Sequence, residues 1–209
     1  MGISTASSAA ELQKILKKRM ENTLRKSSPG ILEDLKKIIE KQLKVSPTVI
    51  SLTSDTGDLR RDFGLSQAKG ISAVKFIINA INSNLKVEVI SNDSGARVKV
   101  QMIITILAID VDSLLESGSA AYISRQSGEL ITWLKWLLSA GTQVVVDGFH
   151  VVEGEGLGRS GLGHMQKTGV FRVEPKHAGT PNNNFITKAI IAGKEDIKES
   201  LIKRFRSNI

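Results

Sequence analysis

The sequence predicts an α+β fold: a mainly antiparallel sheet flanked by helices, with an N-terminal helical arm and a long β-hairpin. Three observations predict it. Apolar residues recur at helical spacing before Val45 and again after Asn184. Between them, Lys86-Val-Glu-Val-Ile-Ser91 alternates with period two and leads into turn residues. Further on, two strand-like stretches, Gln143–Val152 and Gly169–Val173, flank a glycine-dense loop. The organisation expected is a basic helical arm over residues 1–45, then an α+β core over 46–209 with a glycine-rich hairpin loop over 153–168.

The elements follow in order. Ser8-Ala-Ala-Glu11 has the form of a capping box and predicts a helix from about Ala9, with Leu12, Ile15, Leu16 and Met20 on one stripe. Ser28-Pro29 predicts a stop and a second start. Ile31, Leu32, Leu35, Ile38, Ile39 and Leu43 then continue the period until Ser46-Pro47. Such helices either pack on the core or form an arm that binds a neighbouring subunit. Thr48–Leu52 is β-prone, and the Asp55-Thr-Gly-Asp58 group predicts a tight turn. Ser72 is the expected cap of a helix over Ala73–Asn82, with a strand as the competing reading. Asn92-Asp-Ser-Gly95 predicts a hairpin turn, and Arg97–Val111 the return strand. Ile103–Ile109 is apolar on both faces, which places it centrally in a sheet or beneath a helix. Asp112 or Ser113 would start a short helical turn through Glu116. Ser127–Ala140 reads as a helix carrying Trp133 and Trp136, and tryptophans in such a face are anchors of a core or an interface. The last helix, Asn184 to about Phe205, turns Ala189, Ile190, Ile197, Leu201 and Ile202 inward, with a kink at Gly193.

At 209 residues the chain suits one domain, or one domain with an appended arm. It has no cysteine, which excludes disulfides and thiolate chemistry. The N-terminal residues lack the basic start and apolar run of a signal peptide, and Ala6 stands where a myristoylation motif needs Ser or Thr. The longest apolar run, Met102–Ile109, is too short to cross a bilayer, so a soluble protein without a membrane partner is expected. The formal net charge is +8. Residues 1–45 hold ten Lys or Arg against five acids. A basic balance suits nucleic acid, an acidic protein surface, or simply solvated lysine faces.

The loop Gly154-Glu-Gly-Leu-Gly-Arg-Ser-Gly-Leu-Gly163 has five glycines in ten positions, so its backbone sets its shape. It lacks the Gly-Lys-Ser/Thr ending of a phosphate loop and leads into a strand, whereas those loops open a helix. Ser160 does not sit in a Gly-x-Ser-x-Gly elbow. The three histidines, His150, His164 and His177, form no short-spaced pair of the kind zinc sites use. Asp55 and Asp58 are not followed by the further oxygen ligands of a calcium loop. No nucleic-acid-binding signature is present. The expectation is no enzyme, no cofactor and no metal. The residues expected to carry interactions are Gly158, Arg159, Gly161, His164, Trp133, Trp136 and Arg172.

Four stretches together resemble a virion protein of tailed bacteriophages. They are Thr56-Gly-Asp-Leu-Arg60, the run from Trp133-Leu-Lys-Trp-Leu-Leu138 into Val144-Val-Val-Asp-Gly-Phe-His150, Gly158-Arg-Ser-Gly161 with His164-Met165, and Ala178-Gly-Thr-Pro-Asn-Asn-Asn-Phe-Ile-Thr-Lys-Ala189. The chain is similar to the head–tail neck and tail-completion (connector) proteins over roughly residues 30–205. The resemblance implies a structural subunit of a homo-oligomeric ring that joins the DNA-filled head to the tail. It would contact portal or adaptor proteins and tail proteins, and it would be located in the virion after assembly in the host cytoplasm. Arg159, Lys167 and Arg172 would then be placed to meet DNA phosphates in the channel without reading bases. The alternatives are a tail terminator or another minor virion structural protein, and a basic nucleic-acid-binding protein.

Overall fold

The structure, a computed structural model, describes residues 5–94, 97–106, 115, 121–123, 130–154, 156, 158 and 162–207. The fold is α+β, and every strand pairing among the described residues is antiparallel. In chain order the elements are α1 (Thr5–Lys44), α2 (Pro47–Thr53), α3 (Asp58–Asp62), α4 (Gln67–Ser83), β1 (Leu85–Ser94) and β2 (Arg97–Ile106). Then come β3 (Tyr122–Ile123), β4 (Leu130–Ile131), α5 (Leu134–Leu138), β5 (Val144–Glu153), β6 (Gly163–Arg172), α6 (Phe185–Ala192) and α7 (Lys194–Arg206). The strands form three separate two-stranded ladders, β1–β2, β3–β4 and β5–β6, where the sequence suggested one sheet. The chain divides into two compact units. One is built from residues 1–38, 84–107 and 194–209, the other from 39–83 and 108–193.

In the first unit, α1 replaces the two helices expected on either side of Ser28-Pro29. It starts at Thr5, ahead of Ser8, and keeps Pro29 inside it. Proline removes one backbone donor, which leaves the Arg25 carbonyl without its usual partner. The Ser27 and Ser28 hydroxyls donate to the carbonyls of Thr23 and Leu24, both at 2.8 Å, within this turn. The helix survives because its apolar phase does not change across the proline: Leu24, Ser27, Ile31 and Leu35 follow at steps of three and four. Ile31 and Leu35 are 1% and 2% exposed, whereas Leu12 and Ile15 on the same stripe are 60% and 63% exposed.

The β1–β2 ribbon runs in register from Leu85↔Ile106 to Ser94↔Arg97, so Asn92–Ser94 are strand rather than part of the Asn92–Gly95 turn expected, and residues 95–96 lie outside the described set. Val87 and Val89 on β1 are half-buried, while Lys86, Glu88 and Ile90 are exposed. Ile103 is also exposed, so this part of β2 is not buried on both faces. Residues 107–109 lie outside the described set, as does the helical turn expected from Asp112 or Ser113, apart from Leu115. From α7, Arg204 clamps Asp34 of α1 with two hydrogen bonds of 2.8 Å, and Ser200 Oγ donates to the same carboxylate at 2.7 Å. These three donors hold the Asp34 carboxyl down at about 2; the Arg204 bond is the main cause and partial burial opposes it. Ile202, expected inward on α7, is exposed.

In the second unit, Thr48–Leu52 is helical rather than extended. Ser46 accepts from the Val49 amide and Pro47 opens α2, a start signal that outweighs the β-branched composition. Helix α4 begins at Gln67, six residues before the Ala73 expected, and the Lys69 amide donates to Ser66 Oγ at 3.4 Å. Its buried face is Ala73, Val74, Ile77, Ile78 and Ile81. The helix expected over Ser127–Ala140 shrinks to α5, because Leu130–Ile131 pairs instead with Tyr122–Ile123. Residues 127–129 are outside the described set. The core gathers Leu52, Leu59, Phe63, Ile77, Ile81, Trp133, Leu137, Phe171, Val173 and Phe185, all buried. Asn184 caps α6 in a reciprocal box with Thr187, and Gly193 ends that helix immediately before α7.

Candidate functional site

The stretches that carry the resemblance belong to the second unit. Within Thr56-Gly-Asp-Leu-Arg60, Arg60 is buried and folds back over its own turn. It donates from Nε to the Ser54 carbonyl at 2.9 Å and from Nη2 to the Asp55 carbonyl. Ser51 Oγ accepts from the Leu59 amide at 3.0 Å, and a Cβ at Gly57 would stand 1.9 Å from the Ser51 carbonyl oxygen. The motif is therefore a folding device: a glycine lets two backbones touch, and an arginine satisfies the carbonyls of the turn. Asp58 of this motif meets Lys176 at 3.3 Å, and Lys176 also pairs with Glu174 at 2.6 Å. These two carboxylates, Glu174 first, raise the Lys176 ammonium above its ordinary range.

His177, next in the chain, is buried with Nδ1 3.2 Å from Thr48 Oγ1, and its Nε2 has no hydrogen-bond partner among the described residues. Burial lowers its pKa, with a smaller contribution from the neighbouring Lys176 charge. Gly179 lies so close to α5 that a Cβ there would fall 1.8 Å from the Leu137 carbonyl oxygen. Its amide donates to the Trp136 carbonyl at 3.0 Å. Asn184 Nδ2 reaches the carbonyls of Leu138, Thr180 and Pro181 within 3.4 Å. One end of the hairpin is thus bound to α5 and to the α2–α3 segment.

Strands β5 and β6 form that hairpin, with Val144↔Arg172 at one end and Glu153↔Gly163 at the other. The second strand starts at Gly163 rather than at Gly169, so the loop narrows from the expected 153–168 to 154–162. Register shifts at Val144/Val146 and Asp147/Phe149 bend β5, and positive φ values at Gly148, Thr168 and Gly169 accompany them. Thr168 at φ 100° is costly for a β-branched residue. A His150 ring nitrogen hydrogen-bonds to its carbonyl. Burial along β6 is uneven: Gly163 and Phe171 are buried, while Gln166, Lys167, Thr168, Gly169 and Val170 are exposed. The exposed part is mid-strand. Towards the loop, a Cβ at Gly163 would lie 3.5 Å from Arg61 Cδ of α3.

The predicted interaction residues separate. Gly158 has φ +68°, and a Cβ there would stand 1.9 Å from the Gly163 carbonyl oxygen, so it closes the loop on itself. Arg159 and Gly161 lie outside the described residues. His164 is half-buried, with Nε2 3.1 Å from Gln166 Nε2 and a buried Nδ1 without a partner among the described residues. Trp133 is fully buried and packs on Phe63 at 5.5 Å, which in turn meets Phe171 edge-on at 6.2 Å. Trp136 is half-buried. Arg172 is exposed and donates to the Thr142 carbonyl at 3.4 Å. Of these residues, Trp133 is a core anchor, and the exposed surface belongs to Gln166–Val170 and Arg172. The sequence singled out Lys167 in this part as a basic residue but not its place on a strand, because Gly163–Thr168 reads as loop.

Asp62, beside Arg61 at 3.4 Å, is raised to about 6, mainly by burial, with the charge of Arg61 opposing. Among the described residues no group of three or more His, Cys, Asp or Glu is placed to hold a metal ion. No described helix is long and apolar enough to cross a membrane. No protein-family model matches the chain, and neither a curated protein nor a solved structure shows significant similarity to it.

Proposed function

We propose that the chain is a structural subunit of a tailed-bacteriophage virion, forming a homo-oligomeric ring at the head–tail neck and joining the DNA-filled head to the tail. The observation that carries the reading is how the resembling stretches are used. Thr56–Arg60 and the turn before Asn184 meet through Asp58 and Lys176, close over buried backbone, and anchor a hairpin whose Gln166–Val170 edge faces solvent. Among the described residues β6 pairs with β5 alone, and its other edge with the exposed Val170 would offer pairing to a neighbouring subunit. In a ring each subunit uses two different surfaces, so the hairpin of one copy meets another part of the next. Lys167 and Arg172 on the same strand are exposed, and they would line a passage for DNA by charge alone.

The test is assembly. Mass photometry and negative-stain images of the purified chain, alone and with portal and tail proteins, should show closed rings. A chain that stays monomeric in both conditions would sink the proposal. Val170→Glu should block ring closure and leave the melting temperature unchanged, since Val170 is 46% exposed.

A further inference from the structure

The first unit contains an open apolar groove of about 580 Å³, lined by Met20 and Leu24 of α1, Val100, Met102 and Ile104 of β2, and Leu201 and Phe205 of α7. Arg19 stands at its rim. Met20 also belongs to the exposed stripe Leu12, Ile15, Leu16 and Met20. Groove and stripe therefore make one continuous apolar path. From Leu12 to Leu24 it runs about 18 Å along α1, the length of three to four turns of a partner helix.

Charge identifies the occupant. Sixteen of the chain's 29 Lys and Arg, but only nine of its 21 Asp and Glu, fall in this unit, so it holds nearly all of the +8 net charge. Several of its acids already face basic partners: Glu21 meets Lys17 at 4.0 Å, Asp34 is clamped by Arg204, and Glu195 meets Lys198 at 3.6 Å. Lys18, Arg19 and Lys26 surround the shallow continuation of the path beside Ile15 and Thr23. We infer that this path docks an amphipathic helix of another protein, one carrying aliphatic residues at helical spacing flanked by Asp and Glu.

The other occupants fit less well. A second copy would bring an equally basic helix against this one. Nucleic acid would set phosphates on an aliphatic floor. A bilayer would engage the exposed stripe and leave the groove walls unused. The inference stands apart from ring formation, because the hairpin belongs to the other unit.

The probe is a labelled peptide of about 18 residues, with leucines at helical spacing flanked by glutamates, read by fluorescence anisotropy against the full chain. Controls are the same leucine face flanked by lysines, and vesicles containing anionic lipid. The glutamate peptide should bind about tenfold more tightly than the lysine peptide, and its affinity should fall as salt rises. Met20→Asp should weaken it about tenfold without loss of folding, since Met20 is exposed. Lys18→Glu with Arg19→Glu should weaken it while leaving the apolar floor intact, and Val170→Glu should leave binding unchanged. Equal binding of both peptides, no effect of Met20→Asp, or binding to vesicles but not to peptide would each overturn the inference. So would sedimentation showing that Met20→Asp dissociates an oligomer, since the occupant would then be a second copy.

Discussion

Asp62 pairs with Arg61 yet is raised to about 6, because the loss of hydration outweighs the attraction of one neighbouring cation. The folded state therefore holds a proton there more tightly than the unfolded chain, whose carboxyl titrates near 3.8. The proton-linked stability is complete below about pH 3.8 and is lost as pH rises through about 6. Asp62→Asn should raise stability at pH 7, with an upper bound of about 3 kcal/mol, and change little at pH 4; urea titrations at the two pH values check this. Asp34 has the opposite sign: its contribution is present above about pH 3.8 and disappears as pH falls through about 2. Trp133→Ala removes the fully buried ring against Phe63 and should cost about 3–5 kcal/mol in chemical denaturation. A variant that kept its stability and lost only assembly would return Trp133 to an interface role.

At the scale of elements, α1 shows what a pattern can reveal and what it can hide. The helical period from Leu12 to Leu43 was legible, and so was the sequence signal for a break at Pro29, but the two conflict. The apolar phase prevails because burying Ile31 and Leu35 outweighs one missing hydrogen bond. Pro29→Ala should therefore stabilise the chain by about 1–3 kcal/mol in urea unfolding, whereas a functional kink would make the same change neutral or harmful. The hairpin was legible in outline from Val144–Val152, the glycine loop and Gly169–Val173. Its true length was not, because Gly163–Thr168 contains no alternating apolar run to mark a strand. The segment before α5 failed for a different reason. Leu130 and Ile131 share a helical face with Leu134 and Leu137, and only the distant pairing with Tyr122–Ile123 makes them a strand. The interaction residues followed the same division. Glycine and tryptophan positions stand out in a sequence, but whether they serve the core or the surface depends on contacts such as Phe63–Trp133, which no local pattern encodes.

For the whole molecule, the two units divide the work of folding and charge unequally. Truncation ahead of Glu21 removes only the exposed part of the α1 stripe and should change stability by no more than about 0.5 kcal/mol. Truncation through Val45 takes away Ile31, Leu35, Ile39 and Leu43, each 1% or 2% exposed, and should leave a chain without a cooperative transition in calorimetry. The first unit also has an order of completion. Residues 39–83 and 108–193 supply everything the second unit needs, but the first unit needs α7 as well. The Asp34–Arg204 clamp joins residues 170 positions apart. During synthesis Asp34 of α1 and the β1–β2 ribbon are made long before α7 exists to supply Ser200 and Arg204 to the clamp. At roughly 5–20 residues per second, the nascent chain waits several seconds with Asp34 unclamped and the first unit incomplete, the interval in which it is most open to chaperone capture or to misassociation.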